Sequence, residues 1–83
     1  MILNDEYYAE WSMQATALQK ECIRLLQQNQ YASCEVLARM DLSRADVEDR
    51  QPDLALSLLG DCAFGRKRYI QAKNFYRQAL PYN

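Results

Sequence analysis

An internal repeat constrains the fold of this chain more than any other feature. When the sequence is shifted along itself until Leu18 coincides with Leu56, residues of similar kind also coincide over the length of a helical hairpin. The further matched pairs are Cys22 with Gly60, Leu25 with Ala63, Leu26 with Phe64, Tyr31 with Tyr69, Cys34 with Ala72, and Leu37 with Phe75. Small residues coincide at two of these pairs, which lets two helices approach closely. The repeat predicts two copies of one hairpin.

The first copy reads as two helices. Apolar residues recur at steps of three and four, which predicts an extended first helix over about residues 5–28. A second apolar pattern begins at Tyr31 and ends near Met40, after a connection of two or three residues. We therefore place the first hairpin at about residues 5–41.

The second copy follows a polar connection at residues 42–52, where charged side chains outnumber apolar ones. The apolar pattern then predicts helices over about 54–64 and 69–80, which form a second hairpin at about 53–81. Gly65 is placed to end the third helix in a left-handed cap. The fold class is therefore all-α: a single domain of two stacked antiparallel helical hairpins.

The second copy resembles a tetratricopeptide repeat, in which each unit is a helix-turn-helix hairpin. The resemblance rests on its small and aromatic packing positions, which are Leu59, Gly60, Tyr69, Ala72, Tyr76 and Ala79. This copy departs from the signature at Leu56, where the family has Trp, at Ala63, where it has Tyr, and at Pro81, which arrives early. In the degenerate first copy, Cys22 and Cys34 take the small-residue places. The resemblance implies an α-solenoid.

Three runs of the chain, residues 25–37, 58–64 and 69–80, are similar to the N-terminal region of the repeat-containing subunits three, six, seven and eight of the anaphase-promoting complex. This resemblance implies a non-catalytic scaffold of a cell-cycle ubiquitin ligase, located in the nucleus or cytoplasm. It also implies a homodimer, since N-terminal repeats pair two copies of a subunit, and contacts with other subunits of a large complex.

Two hairpins leave apolar faces uncovered, because about three repeats are usually needed for stability. The chain is therefore expected either to belong to a longer array or to self-associate. Large aromatic residues near the start of the first helix are candidates for a dimer interface. The predicted interface residues are Tyr7, Tyr8, Trp11, Ala15 and Leu18. The alternative is that this segment folds back on its own hairpin.

A groove is a second candidate site. The first helix of each hairpin lines the concave face of such arrays, which here places Ile23, Leu26, Leu54 and Phe64 in an apolar groove suited to a partner helix. The alternative is that some of these residues are core between the hairpins. A small stand-alone adaptor that binds a helix or linear peptide is accordingly the rival to the homodimeric scaffold.

Cysteine and histidine usage argues against enzymes and metal sites. The chain has no His and three Cys at wide spacing, without a Cys-x-x-Cys pair. We expect Cys22, Cys34 and Cys62 to be reduced core residues, and we expect no catalytic residues, metal or cofactor. Asp61 beside Cys62 and Glu21 beside Cys22 do not form catalytic pairs, because neighbours on a helix point in different directions.

Charge is distributed unevenly along the chain. Residues 1–62 carry eleven acids and five bases, a sum of minus six, whereas residues 63–83 carry five bases and no acid. Arg66, Lys67 and Arg68 form the tightest basic cluster, which is typical of a solvated helix face or of a site for an acidic partner. The slightly acidic whole disfavours nucleic acid, and no apolar run is long enough for a membrane span.

Overall fold

The computed structural model describes residues 15–82, and this part of the chain is helical. The elements are α1 (Ala17–Gln27), α2 (Tyr31–Val47), α3 (Asp53–Gly65), α4 (Tyr69–Ala79) and a short 3-10 turn (Leu80–Tyr82). Each helix packs on the next one in the chain, and α1 also contacts α3. The described residues therefore form two consecutive helical hairpins, α1–α2 and α3–α4, joined by the packing of α2 on α3.

The two hairpins turn in the same way, at positions that the sequence repeat superimposes. Asn29 and Lys67 both have left-handed backbone conformations, with φ of 59° and 63°. The residue after each of them donates a backbone hydrogen bond to the last turn of the preceding helix, as in a Schellman cap. These bonds run from Gln30 N to Leu25 O, 2.9 Å, and from Arg68 N to Ala63 O, 2.8 Å. The α2–α3 connection has the same geometry, with φ of 55° at Asp49 and a bond from Arg50 N to Ala45 O of 2.8 Å, so the turn is common to all three helix junctions within residues 15–82.

The expected left-handed cap at Gly65 is wrong, because Lys67 takes that conformation two residues later. Gly65 is the last residue of α3, and its φ is not positive. A Cβ at this position would collide with the ring of Tyr31. The glycine is therefore needed for space between the two hairpins and not for backbone freedom.

The first helix is shorter than the periodicity predicts. Thr16 has extended backbone, with ψ of 168°, and is the N-cap of α1. Its hydroxyl accepts from the backbone N–H of Gln19 at 3.1 Å, and the Gln19 side chain accepts from the backbone N–H of Thr16 at 2.8 Å. This reciprocal capping box interrupts the predicted helix 5–28, so α1 is not extended. Residues 1–14 lie outside the described part.

The second helix is longer than predicted. The polar connection expected at 42–52 is wrong over its first half, because α2 continues to Val47. Asp41 and Ala45, one helical turn apart, are each 1% exposed. They prolong the buried face of α2 even though the surrounding side chains are charged and exposed. The true connection consists of the few residues between Val47 and Asp53.

The buried carboxylate of Asp41, on α2, is hydrogen-bonded to the start of α1 and to the α2–α3 connection. Asp41 accepts hydrogen bonds from Thr16 Oγ1 at 3.1 Å, from Gln19 Nε2 at 2.6 Å and from Arg50 Nη2 at 3.3 Å. These donors come from the cap of α1, from its first turn and from the α2–α3 connection. Because hydrogen bonds to a charged group are stronger than neutral ones, this cluster locks the start of α1 against α2.

The expectation of reduced cysteines is wrong for two of the three. Cys22 and Cys34 are paired in a disulfide that joins α1 to α2, with a Cα–Cα distance of 4.7 Å, and both residues are fully buried. Spacing alone did not suggest the bond, since α1 and α2 bring the two positions together only after they pack. Cys62 is free and buried. Burial, with the nearby carboxylates Asp61 and Glu35, raises the pKa of its thiol to about 12.

We predict that Asp41→Ala lowers the free energy of unfolding by about 2 kcal/mol, because it removes the shared acceptor of three donors. Urea denaturation followed by circular dichroism measures the loss. The exposed Asp46, on the same helix, supplies the matched control Asp46→Ala, which should leave stability nearly unchanged. Equal effects of the two substitutions would contradict a structural role for the cluster.

We also predict that the denatured, unreduced protein exposes one alkylatable thiol, that of Cys62, and that prior reduction exposes all three. Iodoacetamide labelling at pH 8 with mass spectrometry counts them. Folded protein should label slowly, since Cys62 is 1% exposed and its pKa is raised. Reduction should also lower stability by about 3 kcal/mol, as expected for a loop of this length. Three labelled thiols without reduction would show that the disulfide is absent.

Candidate protein-interaction surface

The outer side of α4 and the end of α3 form a groove, here called the α4 groove, with a volume of about 340 Å³. It is lined by Phe64, Tyr69, Ala72, Lys73, Tyr76, Arg77 and Leu80. The α4 residues lie at helical steps of three and four, so they share one face of the helix. That face carries aromatic and aliphatic side chains together with two basic ones, Lys73 and Arg77.

Contacts beneath the groove fix the position of α4 on α3. Gly60 of α3 faces the ring of Tyr76, and a Cβ on Gly60 would lie 2.5 Å from that ring. The hydroxyl of Tyr76 donates to the carboxylate of Asp61 at 2.5 Å, and Asp61 is fully buried. Phe64 and Tyr69 meet edge to face, with ring centroids 5.4 Å apart. The groove is therefore lined in part by rings in fixed positions.

Apolar side chains along α4 remain exposed. Ile70 is 80% exposed, Leu80 is 64% exposed and Tyr69 is 56% exposed. Exposed apolar side chains are common singly, but here Tyr69 and Leu80 line the same concave surface, and Ile70 lines the depression that adjoins it. Such a surface is typical of an interaction site.

The groove is flanked by positive charge. Lys67, Arg68, Lys73 and Arg77 are all exposed. No acidic side chain within residues 15–82 forms an ion pair with any of them. Lys67 and Arg68 line a shallow depression of about 720 Å³ that adjoins the groove and shares Tyr69 with it. The surface therefore combines an apolar centre with a basic rim.

The basic cluster Arg66, Lys67 and Arg68 is divided by the fold. Arg66 forms an ion pair with Glu35 of α2 at 2.8 Å, which ties the end of α3 to the first hairpin. Lys67 occupies the left-handed turn position. Only Lys67 and Arg68 contribute to the rim, together with Lys73 and Arg77 from the next turns of α4.

The groove predicted from the sequence does not form as an open surface. Ile23 is 5% exposed and Leu26 is 1% exposed, and both belong to the core cluster. Leu54 packs against the same cluster. Of the four predicted residues, Phe64 alone lines the α4 groove. The contact between α1 and α3 closes the surface that spacing alone assigned to a partner.

The predicted dimer interface lies largely outside the described residues. Tyr7, Tyr8 and Trp11 belong to residues 1–14, and their interface role remains a prediction. Ala15 and Leu18 are half-buried at the start of α1. Leu18 borders a small cavity beside the Asp41 cluster.

The predicted packing positions are mostly interior. Six of them are buried, and they are Cys22, Cys34, Leu59, Gly60, Ala72 and Ala79. Tyr76 is half-buried against Gly60. Tyr69 differs, because more than half of its surface is exposed and its ring forms a T-shaped pair with Phe64 on the groove side. An aromatic assigned to packing is therefore part of the open surface.

Residues 15–82 offer neither a metal cluster nor a membrane-spanning helix. These residues contain no group of three or more Cys, Asp or Glu side chains placed to hold a metal ion. None of their helices has the length and apolar character required to cross a bilayer.

Comparison with known proteins identifies no relative. The chain matches no protein-family model, and neither curated proteins nor solved structures show significant similarity to it.

We predict that Gly60→Ala destabilises the protein by about 1–2 kcal/mol, since the clash with Tyr76 exceeds the gain in helix propensity. Thermal unfolding by circular dichroism measures the change. Ser57→Ala, one turn earlier on α3, is the matched control and should not destabilise. Unchanged stability in Gly60→Ala would mean that the ring of Tyr76 moves away freely.

Proposed function

We propose that this chain is a non-catalytic protein–protein interaction scaffold, and that it is the homodimerising N-terminal domain of a subunit of the anaphase-promoting complex. Of the four subunits that the chain resembles, we assign it to subunit seven. The residues proposed to pair two copies are the N-terminal aromatics Tyr7, Tyr8 and Trp11. The proposed partners are a second copy of the chain and further subunits of the ligase.

The exposed apolar lining of the α4 groove is the observation that carries the interaction role. Tyr69 and Leu80 line the groove and keep more than half of their surface in solvent, and Ile70, which is still more exposed, lines the adjoining depression. Binding of a partner is favourable when it removes exposed apolar area of this kind from water. The two consecutive helical hairpins, whose sequences superimpose from Leu18 on Leu56 to Leu37 on Phe75, support a repeat protein, in which neighbouring units cover each other's faces.

A stand-alone adaptor is the second candidate. The α4 groove is concave, apolar at its centre and basic at its rim, which suits an amphipathic helix with acidic flanks. The adaptor differs from the scaffold in its own oligomeric state, because it presents the same groove as a monomer.

The proposed nuclear or cytoplasmic location affects the first hairpin. Glutathione and thioredoxin keep most thiols reduced there. Under those conditions α1 and α2 rely on the Asp41 cluster and on core packing, without help from the Cys22–Cys34 bond.

We expect sedimentation equilibrium at micromolar concentration to give twice the chain mass of 9.7 kDa. Trp11→Glu should give the monomer mass and a lower melting temperature, because it places a charge in an apolar interface. The conservative Trp11→Phe is the control and should remain dimeric. A monomeric wild-type chain would contradict the scaffold and favour the adaptor.

A further inference from the structure

The chain carries a segment whose chemistry complements the α4 groove. Residues 1–14 contain three acids and no base, together with two Tyr and one Trp. The groove has an apolar centre with the exposed bases Lys73 and Arg77 in its lining. Two further exposed bases, Lys67 and Arg68, line the depression that adjoins it. One end of the chain is thus acidic and aromatic, and the other end presents a basic apolar receptor.

We propose that the α4 groove of one copy binds residues 1–14 of a second copy, with Trp11 in the apolar centre and the acidic side chains at the basic rim. This inference rests on the proposed homodimer and assigns the surface that receives the N-terminal aromatics. Each copy donates its segment to the other and accepts the other's segment in return. The exchange therefore gives a closed two-fold dimer, in which no groove or segment is left to recruit a third copy.

Charge excludes the simplest alternative dimer. Two α4 faces brought together would place four bases against four, with no acid in residues 63–83 to separate them. Like charges across an interface are destabilising. Residues 1–14 carry negative charge. Electrostatic attraction between two copies therefore arises when this acidic segment of one copy meets the basic α4 groove of the other.

A charge-exchange experiment on the full chain tests the proposal. One variant carries Lys73→Glu and Arg77→Glu in the groove, and the other carries Glu6→Lys and Glu10→Lys in the segment. Each variant alone opposes like charges, so its dimer dissociation constant should rise about tenfold or more, as estimated from exposed charge pairs in two contacts. The single exposed change Lys20→Glu on α1 is the control and should leave dimerisation unchanged.

Mixing the two variants is the decisive step. In the mixed dimer both contacts are attractive again, since the altered segment meets the altered groove and the native segment meets the native groove. Sedimentation should therefore recover the dimer mass, with unchanged helix content by circular dichroism. Higher salt should weaken this dimer, because exposed charges are screened.

The outcomes separate the inference from the proposed function. If both variants alone keep wild-type dimer affinity, the segment binds elsewhere, and the homodimer stands without this interface. If the variants are monomeric and the mixture stays monomeric, exchange between copies is wrong, as it would be for docking within one chain. A wild-type chain that is already monomeric contradicts the homodimer itself.

Discussion

Close approach of paired helices at small residues is the constraint on which this structure depends. Gly60 admits the ring of Tyr76 against α3, and Gly65 admits the ring of Tyr31 between the hairpins. In the first hairpin, Cys22 and Cys34 bring α1 and α2 to a Cα–Cα distance of 4.7 Å. Larger side chains at these positions would separate the helices and open the interior that Leu26, Leu58 and Leu59 now fill.

The same packing determines which surface is left for partners. α3 has packed neighbours in α1, α2 and α4, whereas α4 packs chiefly on α3. Ile70 and Leu80 consequently stay in solvent, and the bases of α4 form no ion pair with an acid of residues 15–82. This exposed surface is a consequence of where the helical stack stops covering itself in the described part of the chain.

Much of the second hairpin was predictable from sequence, because its signals are local. The predicted helices 54–64 and 69–80 agree closely with Asp53–Gly65 and Tyr69–Ala79. The offset of the sequence repeat reappears in the left-handed turns at Asn29 and Lys67. The start of α1 also has a local signal, since Thr16 and Gln19 stand at the spacing of a capping box, but the apolar periodicity that runs through them predicts one continuous helix.

Other features had no local signal. Asp41 looks like part of a polar connection until α1 and Arg50 supply its donors, and Ile23 and Leu26 resemble groove residues until α3 covers them. The α4 groove itself was missed, although Tyr69, Lys73, Tyr76 and Leu80 recur at helical spacing. Periodicity shows that these residues share a face, but it does not show whether another helix covers that face.

The sequence by itself determined the number of hairpins, the approximate bounds of the second hairpin and the opposite charges of the two ends, because these depend on residue type and spacing along the chain. Only the tertiary structure decided which apolar residues are buried, that Cys22 meets Cys34, and that α4 presents an open groove. Burial and pairing depend on which helices become neighbours, and that is a property of the packed molecule as a whole.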